Sequence, residues 1–453
     1  FTFCIAGNNN SFLDKKIRDD SQWRNQGRGS ESTDPYGKIS KQASMKQSKL
    51  YPWMVVALLW VVALLNYLDR QMLSTMKPAM MADIPELTSA VNFGYLMGIF
   101  LWVYGAVSPF AGVLADKASR KWIIVGSLFV WSGVTFLMGY ASSYQQLYWL
   151  RALMGVSEAL YIPAGLSLIA DYHTDKTRSL AVGIHMTGLY MGQALGGFGA
   201  TIADRFSWQQ TFTLFGITGI IYAIILAFLL KEKRNSAGDP LMAPAEKVPV
   251  FKGLAVLFTN ISFWIILFYF AIPSLPGWGV KNWLPTLFAE NLGISMTRAG
   301  PLSTITIAAS SFLGVIFGGL LSDRWVQKNI RGRIYTSAIG LGLTIPALMF
   351  IGLGHSLFSV IAAAFCFGFG FGMFDANNMP ILCQFVSPRY RATAYGMMNM
   401  VGVFAGAFIT NLFGKSTDTG SLGKDFAILS GIVALALVVQ LLFLKPVEKS
   451  NPN

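Results

Sequence analysis

The chain has 453 residues, of which 53% are hydrophobic and 13% charged, with 45 glycines and a formal net charge of +13. A soluble domain carries about a quarter charged residues, whereas here the apolar excess falls in blocks of about 20 or more residues, the length that crosses a bilayer as a helix. This excludes a soluble globular protein. The basic residues lie in short loops rather than on one folded face, which argues against a nucleic-acid partner. The dispersed Cys4, Cys366 and Cys383, with three histidines, leave no disulfide framework, metal site or cofactor site.

In chain order, residues 1–44 form a polar tail without the apolar core of a signal peptide. The tail ends just before Met45 and reads either as a start-site artefact, with Met45 the natural start, or as a disordered cytoplasmic tail, and no function is assigned to it. Twelve apolar spans follow. Spans 1–6 lie at about 51–77, 92–114, 121–140, 144–170, 179–203 and 209–230, and spans 7–12 at about 257–289, 299–321, 335–353, 357–385, 393–414 and 425–444. The expected organisation is a six-helix unit over 45–230, a charged, proline-bearing linker over 231–256, a second six-helix unit over 257–445 and a tail over 446–453. From Met45 onward, the termini, the linker and the even-to-odd loops carry 20 Lys/Arg. The opposite side carries 6, namely Lys77, Arg205, Lys281, Arg298, Lys415 and Lys424. The positive-inside rule therefore places both termini and the linker in the cytoplasm.

The two sixes repeat. Gly112-Val113-Leu114-Ala115-Asp116-Lys117 follows span 2, and Gly319-Leu320-Leu321-Ser322-Asp323-Arg324 follows span 8. Span 5 opens with Arg178 and carries Gly183; span 11 opens with Arg391 and carries Gly396. Parallel repeats joined by a basic linker imply a transporter whose site lies between its halves.

Charges inside the spans carry most of the functional signal, because a buried charge in a membrane is costly and marks a polar interior. Span 1 contains Asn66-Tyr67-Leu68-Asp69-Arg70, and span 4 contains Arg151 and Glu158 on one helix face. Arg70 and Arg151 fall at similar depth, and a guanidinium binds a carboxylate bidentately, so anion binding is expected. The competing structural reading pairs Arg70 with Asp69, or Arg151 with Glu158. Glu158, near the middle of the bilayer, is the first candidate proton carrier and Asp69 the second. Tyr67, Tyr161, Tyr190 and Gln193 are expected to line the cavity, with Asn377, Asn378 and Asn399 as further substrate contacts. Span 7 carries Pro273, Pro276 and Pro285 among Gly277, Gly279, Trp278 and Trp283. It is expected to be a broken helix, with the tryptophans either inside or at the interface. Gly368, Gly370 and Gly372 in span 10 read as close helix packing or a hinge, and the glycines of spans 5 and 11 as helix packing.

With these motifs in view, the chain resembles the major facilitator superfamily over 45–445. Gly112-x-Leu114-x-Asp116-Lys117-x-Ser119-Arg120-Lys121 is similar to the superfamily's motif between spans 2 and 3, with Lys for the first Arg and Ser for the second Gly. Asn66-Tyr67-x-Asp69-Arg70, Arg151-x6-Glu158, Asn282-Trp283-Leu284-Pro285 and Tyr395–Gly402 resemble the anion:cation symporter family. Asp69-Arg70-Gln71 resembles the spinster-like lipid transporters equally. The resemblance implies an all-α fold of twelve transmembrane helices in two six-helix pseudo-repeats, acting by alternating access. It implies proton-coupled symport of a sugar acid, hexuronate, sialic acid or related carboxylate by a monomer in the plasma (inner) membrane. It also implies a gating role for Asp116, Arg120, Asp323 and Arg324, with Asp116 contacting the start of span 11. The alternatives are a lipid or lysolipid transporter and, from another class, a non-transporting membrane sensor. An enzyme is disfavoured, since no nucleophile–base pair is found.

Overall fold

The computed structural model describes residues 35–173, 175–232, 255–387 and 390–446, and the described residues are helical with no strand among them. Residues 1–34, nearly all of the linker and the last residues, to which tail and linker readings were attached, lie outside the described set. In chain order the helices are α1 (Pro35–Met81), α2 (Ala90–Lys117), α3 (Arg120–Met138), α4 (Tyr144–Ala159), α5 (Tyr161–Tyr172), α6 (Asp175–Gly196), α7 (Gly199–Phe206) and α8 (Trp208–Leu229). They continue as α9 (Ile261–Leu292), α10 (Met296–Val326), α11 (Gly332–Leu353), α12 (Leu357–Phe385), α13 (Arg391–Asp418) and α14 (Leu422–Phe443). Span 4 is thus α4 with α5, span 5 is α6 with α7, and each other span is one helix. α1 begins at Pro35, inside the segment expected to be a tail.

Eleven of these spans are long and apolar enough to cross a membrane. Span 5 falls short because polar residues recur along it, including His185, Gln193 and the charges at its start. It is sheltered instead between spans 1 and 8. Gly188, Gly192 and Gly196 form a stripe one turn apart, facing the backbone carbonyls of Trp60, Leu64 and Leu68 on span 1. Small residues let two membrane helices approach to backbone contact, where dispersion and not hydrophobicity holds them. This seam fixes span 1, and with it Arg70.

The halves meet along span 2 against span 11 and span 5 against span 8. Spans 6 and 12 are the least buried. The repeat is visible in detail: Arg178 Nε donates to the His173 carbonyl and Arg391 Nε to the Val386 carbonyl, the same offset in each half, both at 3.2 Å. Span 10 shows why three alternate glycines are needed. Gly368 and Gly372 face span 8, while Gly370 faces the Gly340 carbonyl of span 9.

The expectation that span 7 is a broken helix is corrected. Span 7 is helical without interruption despite its three internal prolines. Span 4 breaks at Leu160 ahead of Pro163, and span 5 breaks between α6 and α7. Pro163 has no N–H to give to the Ala159 carbonyl one turn earlier, and the Ser157 carbonyl beside the break accepts from the Leu160 amide and from Ser127 Oγ of span 3 at 2.5 Å.

The two ends of the bundle differ. At the end away from the linker, Asp418 of span 11 accepts from Ser89 Oγ and from the Ala90 and Val91 amides of span 2. There too, Thr201 of span 5 donates to the Thr297 carbonyl of span 8, and a Cβ on Gly197 would stand 2.8 Å from the Gly300 carbonyl. At the linker end the described ion pairs, Arg120 with Asp171 and Arg333 with Asp323, stay within one half. The halves are therefore clasped at the far end.

Candidate functional site

Spans 1, 2 and 4 converge on a charged centre in the first half. Arg70 Nε donates to Glu158 Oε2 at 2.5 Å, and Asn66 Nδ2 donates to the same oxygen at 2.9 Å. Glu158 is fully buried and Arg151 is 3% exposed. The Arg70 guanidinium is held by aromatic faces, 5.1 Å from the Tyr67 ring centroid, 4.9 Å from Phe100 and 4.7 Å from Tyr104. Such faces attract a cation without neutralising it. Arg151 shares the Phe100 ring at 4.6 Å, and its Nη1 reaches the Met154 sulfur at 3.0 Å. It has no carboxylate within ion-pair distance among the described residues.

The sequence offered Asp69 as partner for Arg70 and Glu158 as partner for Arg151. The structure pairs Arg70 with Glu158 instead, because span 1 turns that face toward span 4. Asp69 points elsewhere, with Thr135 Oγ1 of span 3 at 3.4 Å from its Oδ2. Several buried polar atoms here have no partner: Arg70 Nη2, Arg151 Nε, Glu158 Oε1, Asp69 Oδ1 and Asn66 Oδ1. Buried polar groups are ordinarily satisfied, and leaving a charged one bare costs more than a neutral one. A desolvated ion pair is also weak support for stability. Donors and acceptors are thus left unmatched beside a guanidinium that has no ion-pair partner among the described residues.

The remaining expected residues divide. Tyr67 lies against the Arg70 guanidinium. Gln193 lines a narrow slot between the halves with Gln71, Lys281, Leu284, Ser303 and Thr304. Tyr190 packs edge-on against Phe312 across the span 5–span 8 seam. Asn399 Nδ2 reaches Ser108 Oγ of the other half at 3.5 Å. Asn378 accepts from the Tyr269 hydroxyl at 3.2 Å and donates to Asp375 Oδ1 at 3.2 Å. Asn377 donates to the Met373 carbonyl of its own helix and is fully buried. Tyr161 is a correction. It is fully buried against Trp131 and His185 and donates to the Leu59 carbonyl at 2.8 Å, so it packs the first half and does not line the cavity. Trp278 and Trp283 of span 7 face inward, whereas Trp264 is exposed. Trp283 is fully buried with its Nε1 on the Thr410 carbonyl, and Trp278 lies over Lys281.

Of the residues expected to gate, the backbone of Asp116 belongs to α2 and its side chain lies outside the described set. Arg120 pairs with Asp171 at the end of span 4, and Asp323 meets Arg333 at 3.4 Å while staying largely exposed. Arg324 forms no ion pair among the described residues. Glu232 caps the start of span 3, accepting from Ser119 Oγ at 2.6 Å and the Lys121 amide at 2.9 Å. A carboxylate is favoured at that helix N-terminus.

Sequence reasoning missed Lys281. Counted with the far loops, it lies inside span 7, its ammonium 5.9 Å from the Tyr67 centroid and 4.9 Å from the Trp278 ring. Its signal was a lone cation between Pro276 and Pro285, which the search for charges within spans should have caught. Phe100 and Tyr104 left no comparable mark, since aromatic residues in an apolar helix are ordinarily packing.

Comparison with known proteins follows from this geometry. Residues 59–410 match the family described as Major Facilitator Superfamily. The chain is 24% identical to the hexuronate transporter of Bacillus subtilis (strain 168), covering 88% of this chain and 97% of that one. It is 25% identical to the sodium-dependent phosphate transport protein 1, chloroplastic, of Arabidopsis thaliana, covering 86% and 78%. Among solved structures, a bacterial homologue of the human lysosomal transporter Spinster superposes with a TM-score of 0.75 at 20% identity, covering 89% of this chain and 99% of that one.

Proposed function

The chain belongs to the Major Facilitator Superfamily, and from that premise we propose that it carries a small organic anion, a sugar acid or related carboxylate, together with a proton. The observation that carries this reading is the pairing at the centre: Glu158 holds Arg70, while Arg151, beside the same Phe100 ring, has no carboxylate of its own. Protonation of Glu158 at its unpartnered Oε1 neutralises the group that occupies Arg70. Arg70 and Arg151 are then both free to hold one carboxylate. Proton and anion binding favour each other, and this linkage is reciprocal. The family match, and the acid-sugar and anion specificities named for the relatives, support the substrate class.

In this reading Tyr67 and Gln193 contact the substrate from the first half, and Asn378 and Asn399 from the second. Asp69 is a reserve proton site. The protein works as a monomer in the plasma membrane with both termini in the cytoplasm. Asp116, Arg120, Asp323 and Arg324 act at the linker end during the cycle, and the clasp at the far end makes the described state one that opens toward the linker side. The charged centre disfavours a lipid as substrate, because an acyl chain would have to desolvate these guanidiniums without pairing them.

The test is uptake by proteoliposomes of labelled hexuronates, aldonates and inorganic phosphate, each under a proton gradient, a sodium gradient and neither. Accumulation of a carboxylate under the proton gradient supports the reading. Accumulation driven only by sodium, or of phosphate alone, overturns it.

A further inference from the structure

One cation of the cavity is not used by the scheme above. Lys281 projects from span 7 of the second half, and its ammonium makes no hydrogen bond or ion pair with a described residue. It rests between two aromatic faces, Tyr67 of the first half and Trp278 of its own helix. The acidic side chain whose field reaches it is Asp375 of span 10, which does not come within ion-pair distance and hydrogen-bonds to Asn378 instead. Asp375 is solvent-accessible although it lies within the bundle, as a side chain lining an open cavity is.

Lys281 is also fixed in place. Gln71, adjacent to Arg70, donates to the Lys281 backbone carbonyl at 2.8 Å and so ties span 7 to span 1 across the two halves. Arg70 and Lys281 look at the same Tyr67 ring from 5.1 and 5.9 Å, so their separation cannot exceed the sum of those distances. The cavity thus presents two positive poles, the Arg70–Arg151 pair on the first half and Lys281 on the second, with Tyr67 between them. A single carboxylate satisfies the first pole and leaves the second bare. An anion with acidic groups at both ends of a backbone of a few carbons satisfies both.

We propose that Lys281 is a substrate-binding residue that recognises a second acidic group, and that the preferred substrate is a short dianion bridging the two halves. The inference rests on the anion-transport reading. Arg151 and Arg70 take one acidic group by their planar forks, and Lys281 takes the other as a point charge. Asp375 and Asn378 are positioning residues. The Asp375 carboxylate draws the ammonium without pairing with it. Because the dianion touches both halves, it stabilises the state in which they have closed on it more than a monoanion does, and only such differential binding can shift the population.

The experiment compares mono- and dicarboxylates matched in carbon skeleton, with a hexuronate and the corresponding hexarate as one pair and shorter hydroxy acids as others. Affinity is read by competition against substrate counterflow in proteoliposomes. In the wild-type protein the dicarboxylate of at least one pair is expected to compete about tenfold or more better than its partner. Lys281→Gln is expected to shrink that ratio toward one, and Lys281→Arg to preserve most of it. Asp375→Asn is expected to keep a ratio above one, which tests the assignment even where Lys281→Gln does not fold. A wild-type ratio at or below one in every pair, or an unchanged ratio in Lys281→Gln, overturns the second subsite while leaving monoanion transport standing. Failure of every carboxylate to compete, alongside transport of some uncharged solute, overturns the parent reading and this inference with it.

Discussion

Arg151 is the residue whose role is easiest to isolate, because no described carboxylate depends on it. Its removal leaves Phe100 packed and Glu158 still paired with Arg70. Arg151→Ala is therefore expected to fold and to lose about 2 kcal/mol of anion affinity, some thirtyfold, the usual worth of a charge-assisted hydrogen bond. Substrate-induced stabilisation in a thermal-shift assay measures it, since a ligand stabilises by mass action. Full stabilisation of the mutant would place the anion elsewhere. Arg151→Lys is expected to recover little, because an ammonium lacks the planar fork. The charges of spans 1 and 4 were legible in the sequence because a charged residue in an apolar span stands out. Their pairing was not. Asp69 and Arg70 are neighbours in sequence, yet on a helix they point about 100° apart, and only the rotation of span 1 set by its glycine seam with span 5 decides which one meets Glu158. Lys281 was hidden for a related reason, since prolines on both sides suggested a break or loop where the chain in fact stays helical.

At the scale of the helices, the site depends on how closely span 4 crosses span 2. A Cβ on Gly155 would stand 2.7 Å from the Phe100 carbonyl and 3.2 Å from Val103. Phe100 is the ring shared by both arginines, so pushing span 2 outward moves the floor of the anion site. Gly155→Val is expected to cost about 1–3 kcal/mol of stability, the range for overpacking, and to weaken anion binding although it touches no charge. Parallel melting and substrate-competition measurements check both effects; a stable variant with wild-type affinity would show that the crossing has room to spare. The order of the spans was readable from the sequence, and eleven of them are long and apolar enough to be read from length and hydropathy alone. Where a span breaks was not. Three prolines leave span 7 continuous, whereas the single Pro163 lies just past a break in span 4. Tyr161 belongs to the same lesson. It sits just past that break, and the change in direction turns it into the packing of the first half and away from the cavity.

For the molecule as a whole, the two halves were visible as a repeat in the sequence, and the matching Arg178 and Arg391 contacts show it in three dimensions. The state in which they are held was invisible, because it depends on contacts between residues from about a hundred to more than three hundred positions apart. Asp418 is the clearest of these, capping the start of span 2 from the end of span 11. Asp418→Ala removes a cap worth about 1 kcal/mol and is expected to shift the balance toward opening at the far end about fivefold. Spin-label distances between the far ends of spans 2 and 11 read this directly. An unchanged distance distribution would mean that the glycine contact of spans 5 and 8 alone sustains the closure.

The account stands on Glu158 as the point where proton and anion meet, and one comparison tests it most directly. Gln at this position imitates the protonated carboxyl in shape and charge, so it releases Arg70 permanently while keeping a partner for Asn66. Glu158→Gln protein in proteoliposomes is expected to exchange labelled for unlabelled carboxylate across the membrane, and to fail to concentrate that carboxylate when a pH gradient is the sole driving force. Accumulation under the gradient by the mutant, at the level of the wild type, would contradict the claim and leave the coupling to Asp69.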